Sequence, residues 1–397
     1  MAVQYGGRPA GGTHWRLSWN DRNVRSIVYQ IAALAAVVAG VWYFVDNTLE
    51  NLRRLGLASG FGFMDREAAF PIGESLIDYT PADTYARALL VGVINTLYVS
   101  AIGIILATVL GTVIGIARLS RNWLIAKLAS VYVEMTRNTP LLLQLFFWYM
   151  IFLELLPPAR QALQPVPDVF LSNRGVRFPV PAAADGWSLM GAGVVIGVVG
   201  AMILSSWSRR RQAATGQQFP VVWAGLAAIV GCGVVGWLLG GAPTALDRPA
   251  LRGFNFSGGV EVSPEFVALL LGLVIYTAAF VAEIVRGGIL AISQGQTEAA
   301  SALGLKRGMI LRLVILPQAL RVIIPPITSQ YLNLTKNSSL AVAIGFPDLV
   351  HLANTAINQT GQAIEGIAII MAVYLTISLS ISLFMNWYNR RVALVER

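Results

Sequence analysis

Cysteine, histidine and lysine are close to absent, and each shortage closes off a class of function. Cys232 is the single cysteine and sits in an apolar stretch, so neither an internal disulfide nor a thiolate metal cluster can form. The two histidines, His14 and His351, lie in distant parts of the chain without a companion at ligand spacing, which argues against a metal centre. Three lysines accompany 26 arginines. None of Lys127, Lys306 and Lys336 follows a glycine, and the pattern G-x-x-x-x-G-K-[ST] does not occur, so the chain has no P-loop of its own. Charge is scarce as a whole: 12% of residues carry it, half of the roughly 25% of a soluble domain. A membrane enzyme would need a clustered catalytic set, and these counts leave little to build one from.

Apolar residues fill the space. Hydrophobic types reach 56% and mean hydropathy +0.64, as in a chain whose solvent is largely lipid. A spanning helix needs about 20 mostly apolar residues. Such runs occupy 27–45, 88–117, 140–156, 188–207, 220–240, 264–285 and 366–388. The apolar stretch 313–350 is about twice that length and is interrupted by Pro325-Pro326 and by polar residues from Asn333 to Ser339. It predicts one full span followed by a broken or half helix. The expected fold is therefore an all-α, polytopic membrane helical bundle of about eight transmembrane helices. The first run follows a polar stretch and ends at Val45-Asp46-Asn47 without a small-residue cleavage pattern, so it is expected to be a retained anchor.

With the N-terminus cytoplasmic and eight alternating spans, the cytoplasmic segments hold 18 Lys or Arg and the opposite side ten. This bias favours both termini inside. It also accounts for the formal net charge of +9 without nucleic acid as a partner. Two segments interrupt a simple bundle: a polar, acidic external loop at 46–87 and the longer segment 157–263, which holds two of the spans between Pro- and Gly-rich linkers and reads as an inserted helical hairpin. Gly111 and Gly115 form a GxxxG, a weak signal for close helix packing.

The segment 293–317 lies between two spans on the expected cytoplasmic side. Thr297 is a suitable N-cap, Glu298 puts a carboxylate in the first turn, the alanines and Leu303 favour helix, and Gly304 suits the C′ position. These features predict a stub of about two turns, roughly 10 Å long, small enough to enter a groove on a partner. From the residues alone, an ordinary loop helix fits equally well.

The pattern Glu298-Ala299-Ala300, Gly304, Val314, Leu316-Pro317 resembles the EAA loop of ABC importer permeases, with Val314 in place of the usual isoleucine. Further elements resemble the permeases for polar amino acids: Asn95-Thr96-Leu97 with Ser100, Tyr132, Glu134, the run Arg137 to Gln144, Ala282 to Ile289, Leu316 to Arg321, and Lys336-Asn337-Ser338-Ser339-Leu340, where serine replaces a usual threonine. The added segments look similar to those of the larger permease subunits of bacterial general L-amino acid transporters. The resemblance implies a five-helix type I importer core at 88–156 and 264–388, with added helices in 1–87 and 157–263 and a cytoplasmic tail at 389–397. It makes Glu298, Ala299, Ala300 and Gly304 the ATPase-coupling residues. It implies a cytoplasmic ABC ATPase dimer that uses ATP and Mg, a second homologous permease subunit, a periplasmic amino-acid-binding protein and the bacterial inner membrane, with no cofactor bound by this chain.

Charges and polar groups near the membrane are the remaining candidates. Glu283 and Arg286, three residues apart on one helical face, and Arg321, one turn into its span, are expected as gating or structural charges. Lys336, Asn337, Ser338 and Ser339 interrupt an apolar segment, and Glu154 ends a span near the outer face; these are candidates for the substrate pathway. The alternative function is a secondary amino acid transporter or channel without an ATPase. It would call for more mid-membrane charge and inverted repeats, and it leaves the EAA pattern unexplained.

Overall fold

The computed structural model describes residues 22–54, 60–182, 185–253 and 255–392. The expected cytoplasmic segment before residue 22, with His14, and residues 393–397 of the expected tail lie outside the described residues.

The first apolar run forms α1 (Arg22–Arg54), longer than the run itself because Asp46 to Arg54 continue as helix, with Arg54 bonded to Glu50 one turn back. No described residue of α1 is buried. The segment after it is no free loop. Phe63, Ala68 and Phe70 pack with Tyr85 and Ala88 of α2 (Tyr85–Ala117), and Glu67 bridges Thr84.

α3 (Trp123–Arg137) occupies what the sequence suggested was a loop; the Asn122 side chain accepts from the amides of Leu124 and Ile125 and starts it. Pro140 then disfavours helix at Thr139, and the chain turns by 103° into α4 (Leu141–Met150), which a π-helical turn extends to Leu155. The bend is held by side chains: Asn138 donates to the Glu134 carbonyl, Thr139 to that of Met135 and Gln144 to those of Thr136 and Thr139. The expected span 140–156 is thus only 15 residues of helix, about 22 Å, short of a roughly 30 Å hydrocarbon layer. Seven helical stretches are long and apolar enough to cross, or eight if the bent pair counts as one.

The all-α bundle is present as expected, with one small addition. The linkers of the inserted segment fold into small antiparallel sheets. β1 (Leu163–Val166), β2 (Val169–Ser172), β3 (Gly175–Phe178) and, from the far end of the insertion, β8 form one sheet in that order. Two-residue turns join the first three, and the left-handed φ at their corners falls on Asp168 (+62°) and Gly175 (+102°), residue types that tolerate it. β4 (Val180–Pro181) leads to the hairpin α5 (Asp185–Thr215) and α6 (Val221–Leu239), followed by β5 (Leu246–Asp247), β6 (Ala250–Arg252), β7 (Asn255–Ser257) and β8 (Val260–Val262). α5 and α6 meet along glycines: a Cβ on Gly193 would lie 2.2 Å from the Cys232 carbonyl oxygen, and one on Gly236 2.3 Å from that of Leu189.

α7 (Pro264–Leu290) follows β8 and packs against α2. Gly111 and Gly115 are the seat: a Cβ on the first would stand 2.6 Å from Val281 Cβ, and on the second 2.7 Å from the Ala282 carbonyl oxygen. A core of Val99, Leu145, Leu269, Leu273, Leu334 and Phe346 joins these helices to α4 and to the later ones. α8 (Gln294–Ala302), α9 (Arg307–Ile310) and a π turn lead into α10 (Leu316–Asn337), which runs through Pro325 and Pro326 without a break. The missing amides leave the carbonyls of Arg321 and Val322 without helical donors. The chain departs from α-helix only after Asn337, in a 3-10 run Ser338–Ile344 ending at Gly345 (φ +82°), so of the two expected interruptions the polar cluster Asn333 to Ser339 breaks the helix and the proline pair does not. α11 (Leu349–Thr360) is the half helix, and α12 (Ala363–Val392) closes the bundle.

Candidate functional site

α8 projects between α7 and α9. It starts earlier than expected: Ser293 is its N-cap position, Thr297 lies inside the helix, and Glu298 is in the second turn rather than the first. Gln294 and Gln296 are good helix formers, and Gly295 was not enough to delay nucleation. The helix has nine residues, about 13 Å. Its end is a Schellman closure. Gly304, φ +74°, donates to the Ser301 carbonyl at 2.9 Å, and Leu305 donates to that of Ala300 at 3.3 Å. Glu298 and Ala299 face outward, while Ala300 is buried against its own chain. Gln296 and Gln318 share a 3.3 Å hydrogen bond that ties the stub to α10. Leu303, passed over in the sequence except as a helix former, is 81% exposed at the tip. An isolated leucine among alanines directly before a helix-ending glycine was the available signal.

Glu283 lies two turns before the end of α7. Arg118, at the end of α2, bonds it through Nη1, and Arg286 bonds it through Nη2 at 2.7 Å. The Arg118 side chain is 10% exposed. One carboxylate thus bridges two guanidiniums and ties α2 to α7 beside the stub. In the sequence Arg118 stands out only as one of the 18 positive charges counted on the cytoplasmic side. Arg321 lies on α10 in the same half of the molecule, and its buried Nε has no hydrogen-bond partner among the described residues.

At the opposite end the expected pathway residues separate. Lys336 is exposed at the end of α10; Ser338 is fully buried, and its hydroxyl donates to the Thr335 carbonyl at 2.7 Å. Ser339 bonds back to Lys336 in the same way, and Asn337 is half-buried. Glu154 is exposed in the π turn after α4 and does not line the cavity of about 620 Å³ nearby. The carboxylates there are Glu74, Glu261 and Glu265, beside Arg174 and His351. Burial raises the Glu74 carboxyl above its ordinary range, partly opposed by the Ser263 hydroxyl that it accepts from.

Next to Ser338 is a polar knot that no single stretch of sequence reveals. Asn95 donates to the carbonyls of Glu74 and Pro347, both at 2.9 Å. The Leu349 amide donates to the Thr96 hydroxyl at 3.1 Å, and Tyr374 donates to Asp348 at 3.4 Å. Asp348 is fully buried and caps α11 by accepting from the His351 amide at 2.9 Å. Burial pushes its carboxyl up to about 7. Its contribution to stability is therefore complete below the ordinary carboxylate range and lost as pH rises through about 7. Asp348→Asn keeps the capping oxygen and cannot ionise. The variant is expected to match the wild type near pH 4.5 and to be more stable at pH 8, read as thermal midpoints in detergent across that range. Burial lowers the His351 pKa, which acts in the opposite sense at low pH, so the difference between variant and wild type isolates Asp348.

The described residues thus form a multi-pass bundle with a short exposed helix between two spans and hold no metal-ligating cluster. The family of binding-protein-dependent transport system inner membrane components matches residues 215–394. The general L-amino acid transport system permease protein AapQ of Rhizobium johnstonii is 52% identical over 98% of both chains. The putative amino-acid ABC transporter permease protein YhdX of Escherichia coli is 52% identical over 96% of this chain and 97% of its own. The glutamate/glutamine/aspartate/asparagine transport system permease protein BztB of Rhodobacter capsulatus is 42% identical over 98% of each. A crystal structure of an amino acid ABC transporter with histidines aligns over 77% of this chain and 95% of its own, with a TM-score of 0.46 and 22% identity. The chain belongs to the binding-protein-dependent, ABC-type transport permeases of the inner membrane. Such a permease is not itself an enzyme: ATPase activity lies in a separate subunit, and a substrate-binding protein completes the system.

Proposed function

We propose that this chain carries L-amino acids inward as one half of a translocation pathway, paired with a second homologous permease. A periplasmic binding protein delivers the amino acid, and a cytoplasmic ABC ATPase dimer, using ATP and Mg, drives the cycle. The substrate class is supported by the relatives, each named as an amino-acid permease. The observation that carries the coupling role is α8, an exposed helix closed by Gly304 directly after a spanning helix. Glu298, Ala299, Ala300 and Gly304 engage a cleft of the ATPase, and Leu303 adds an apolar knob. Both termini are cytoplasmic. The core comprises 88–156 and 264–388, with 1–87 and 157–263 as additions.

Glu283, Arg286 and Arg321 are structural or gating charges. Lys336, Asn337, Ser338, Ser339 and Glu154 stay with the substrate pathway in different capacities. Lys336 and Glu154 have exposed side chains that can meet a charged group, whereas the hydroxyls of Ser338 and Ser339 are engaged with their own backbone and act by shaping the end of α10.

The test is purification of the complex in mild detergent by a tag on this chain, with ATP hydrolysis measured with and without loaded binding protein. Stimulation in the wild type, reduced roughly tenfold or more by Glu298→Arg, is the expected result. If no ATP-hydrolysing subunit accompanies the folded chain, the importer assignment fails and a secondary transporter takes its place.

A further inference from the structure

The inserted hairpin plays no part in the coupling site, yet its far end is built in an unusual way. α5 and α7 both begin at the sheet module; α7 leads into α8, and α5 carries Arg209-Arg210-Arg211 about one turn before its end at Thr215. Each crosses the membrane once, so the three arginines lie on the face where α8 stands. Arg209 and Arg210 are exposed and have no partner among the described residues. Arg211 is held in place: its guanidinium lies 5.3 Å from the centre of the Trp207 ring, and Nη2 donates to Gln217 at 3.2 Å. Trp207 in turn packs edge-on against Phe219, ring centres 5.5 Å apart, and Trp223 is 75% exposed at the start of α6. Tryptophans at this depth mark the boundary between headgroups and hydrocarbon.

Directly above the arginines, Val199, Met202, Ile203, Ser206, Trp207 and Arg210 line a groove of about 520 Å³ along one face of α5. Its body is apolar and its end is cationic. The geometry points to a bound anionic phospholipid: the acyl chain lies in the groove over Met202 and Ile203, and the phosphate sits among Arg209, Arg210 and Trp207. Guanidinium forks suit phosphate oxygens, and two free forks beside a fixed third offer a phosphate the charge and donors that a zwitterionic headgroup cannot use equally. A free phosphate would leave the apolar part of the groove unused, so the lipid is the fitting occupant. Snorkelling arginines alone would attract the anionic surface in general and retain no lipid after extraction.

The test uses the full chain purified in mild detergent. Phosphatidylglycerol or phosphatidylcholine is added, and the lipids retained are counted by native mass spectrometry. One phosphatidylglycerol retained in preference to phosphatidylcholine is expected. Retention should fall about fivefold for each arginine replaced and largely disappear in Arg209→Gln/Arg210→Gln/Arg211→Gln. If the triple variant does not fold, Arg210→Gln alone, an exposed single change, is expected to cost about fivefold. Equal retention of both lipids, or unchanged phosphatidylglycerol retention in Arg210→Gln, overturns the assignment.

Discussion

Gly304→Val is expected to uncouple transport while leaving the chain folded in the membrane. A Cβ at this position would meet nothing within 4 Å, so the substitution brings no clash. Its effect is conformational. A left-handed backbone costs an L-residue roughly 1–2 kcal/mol, and valine is among the residues least able to adopt it. The cost falls on the closure that holds Leu303 and the last turn of α8 in place, because the amides of Gly304 and Leu305 make its two bonds. A shift of that size lowers the closed-to-open ratio of the stub about five- to thirtyfold, and coupling falls with the competent population. Gly304→Asn, which tolerates the same backbone, is expected to keep most of the activity. The measurement is stimulated ATP hydrolysis and amino acid uptake by the two variants at matched expression. Equal activity of the valine variant and the wild type would remove the closure from the mechanism.

Glu283→Gln is expected to give the largest loss of stability among single changes at the charged positions. It leaves the 10% exposed Arg118 side chain and its neighbour Arg286 without an anion between them. Removing one member of a fully buried pair costs about 3–5 kcal/mol; Glu283 is itself 31% exposed, so a cost of about 2 kcal/mol is expected. That lowers the thermal midpoint by several degrees. Arg118→Gln in the same background should recover part of the loss, since the uncompensated charge goes with it. A double-mutant cycle on the detergent-solubilised complex reads the interaction directly, and an additive cycle would mean that Arg118 and Glu283 do not depend on each other.

Much of this fold was legible in apolar run lengths, because lipid demands about 20 uninterrupted residues wherever a straight helix crosses. The end of α8 was legible too, because Gly304 is the residue a left-handed corner needs. Its beginning was not: Ser293, Thr297 and the glutamines between them are all compatible with a first turn, and tertiary contact with α10 through Gln318 decides among them. Pro325-Pro326 misled for a physical reason, since carbonyls freed by proline can be satisfied inside a bundle, and the helix continues. The sheet module was hidden because its strands are two to four residues long and β3 pairs with β8 across the whole α5–α6 hairpin. The knot brings Asn95 and Thr96 of α2 and Tyr374 of α12 to Asp348 at the start of α11, a juxtaposition that no local pattern encodes.

The glycine seat and the Glu283 clamp have a mechanical consequence. Bound at Gly111, at Gly115 and at Arg118, α2 and α7 form one stiff beam, and a load applied at α8 tilts that beam rather than bending it. Compliance is concentrated in α10, which enters through a π turn and whose carbonyls at Arg321 and Val322 have no helical donors to resist flexing. In the proposed coupling, α10 gives most readily at the proline pair, between the α8 stub and the Asp348 knot.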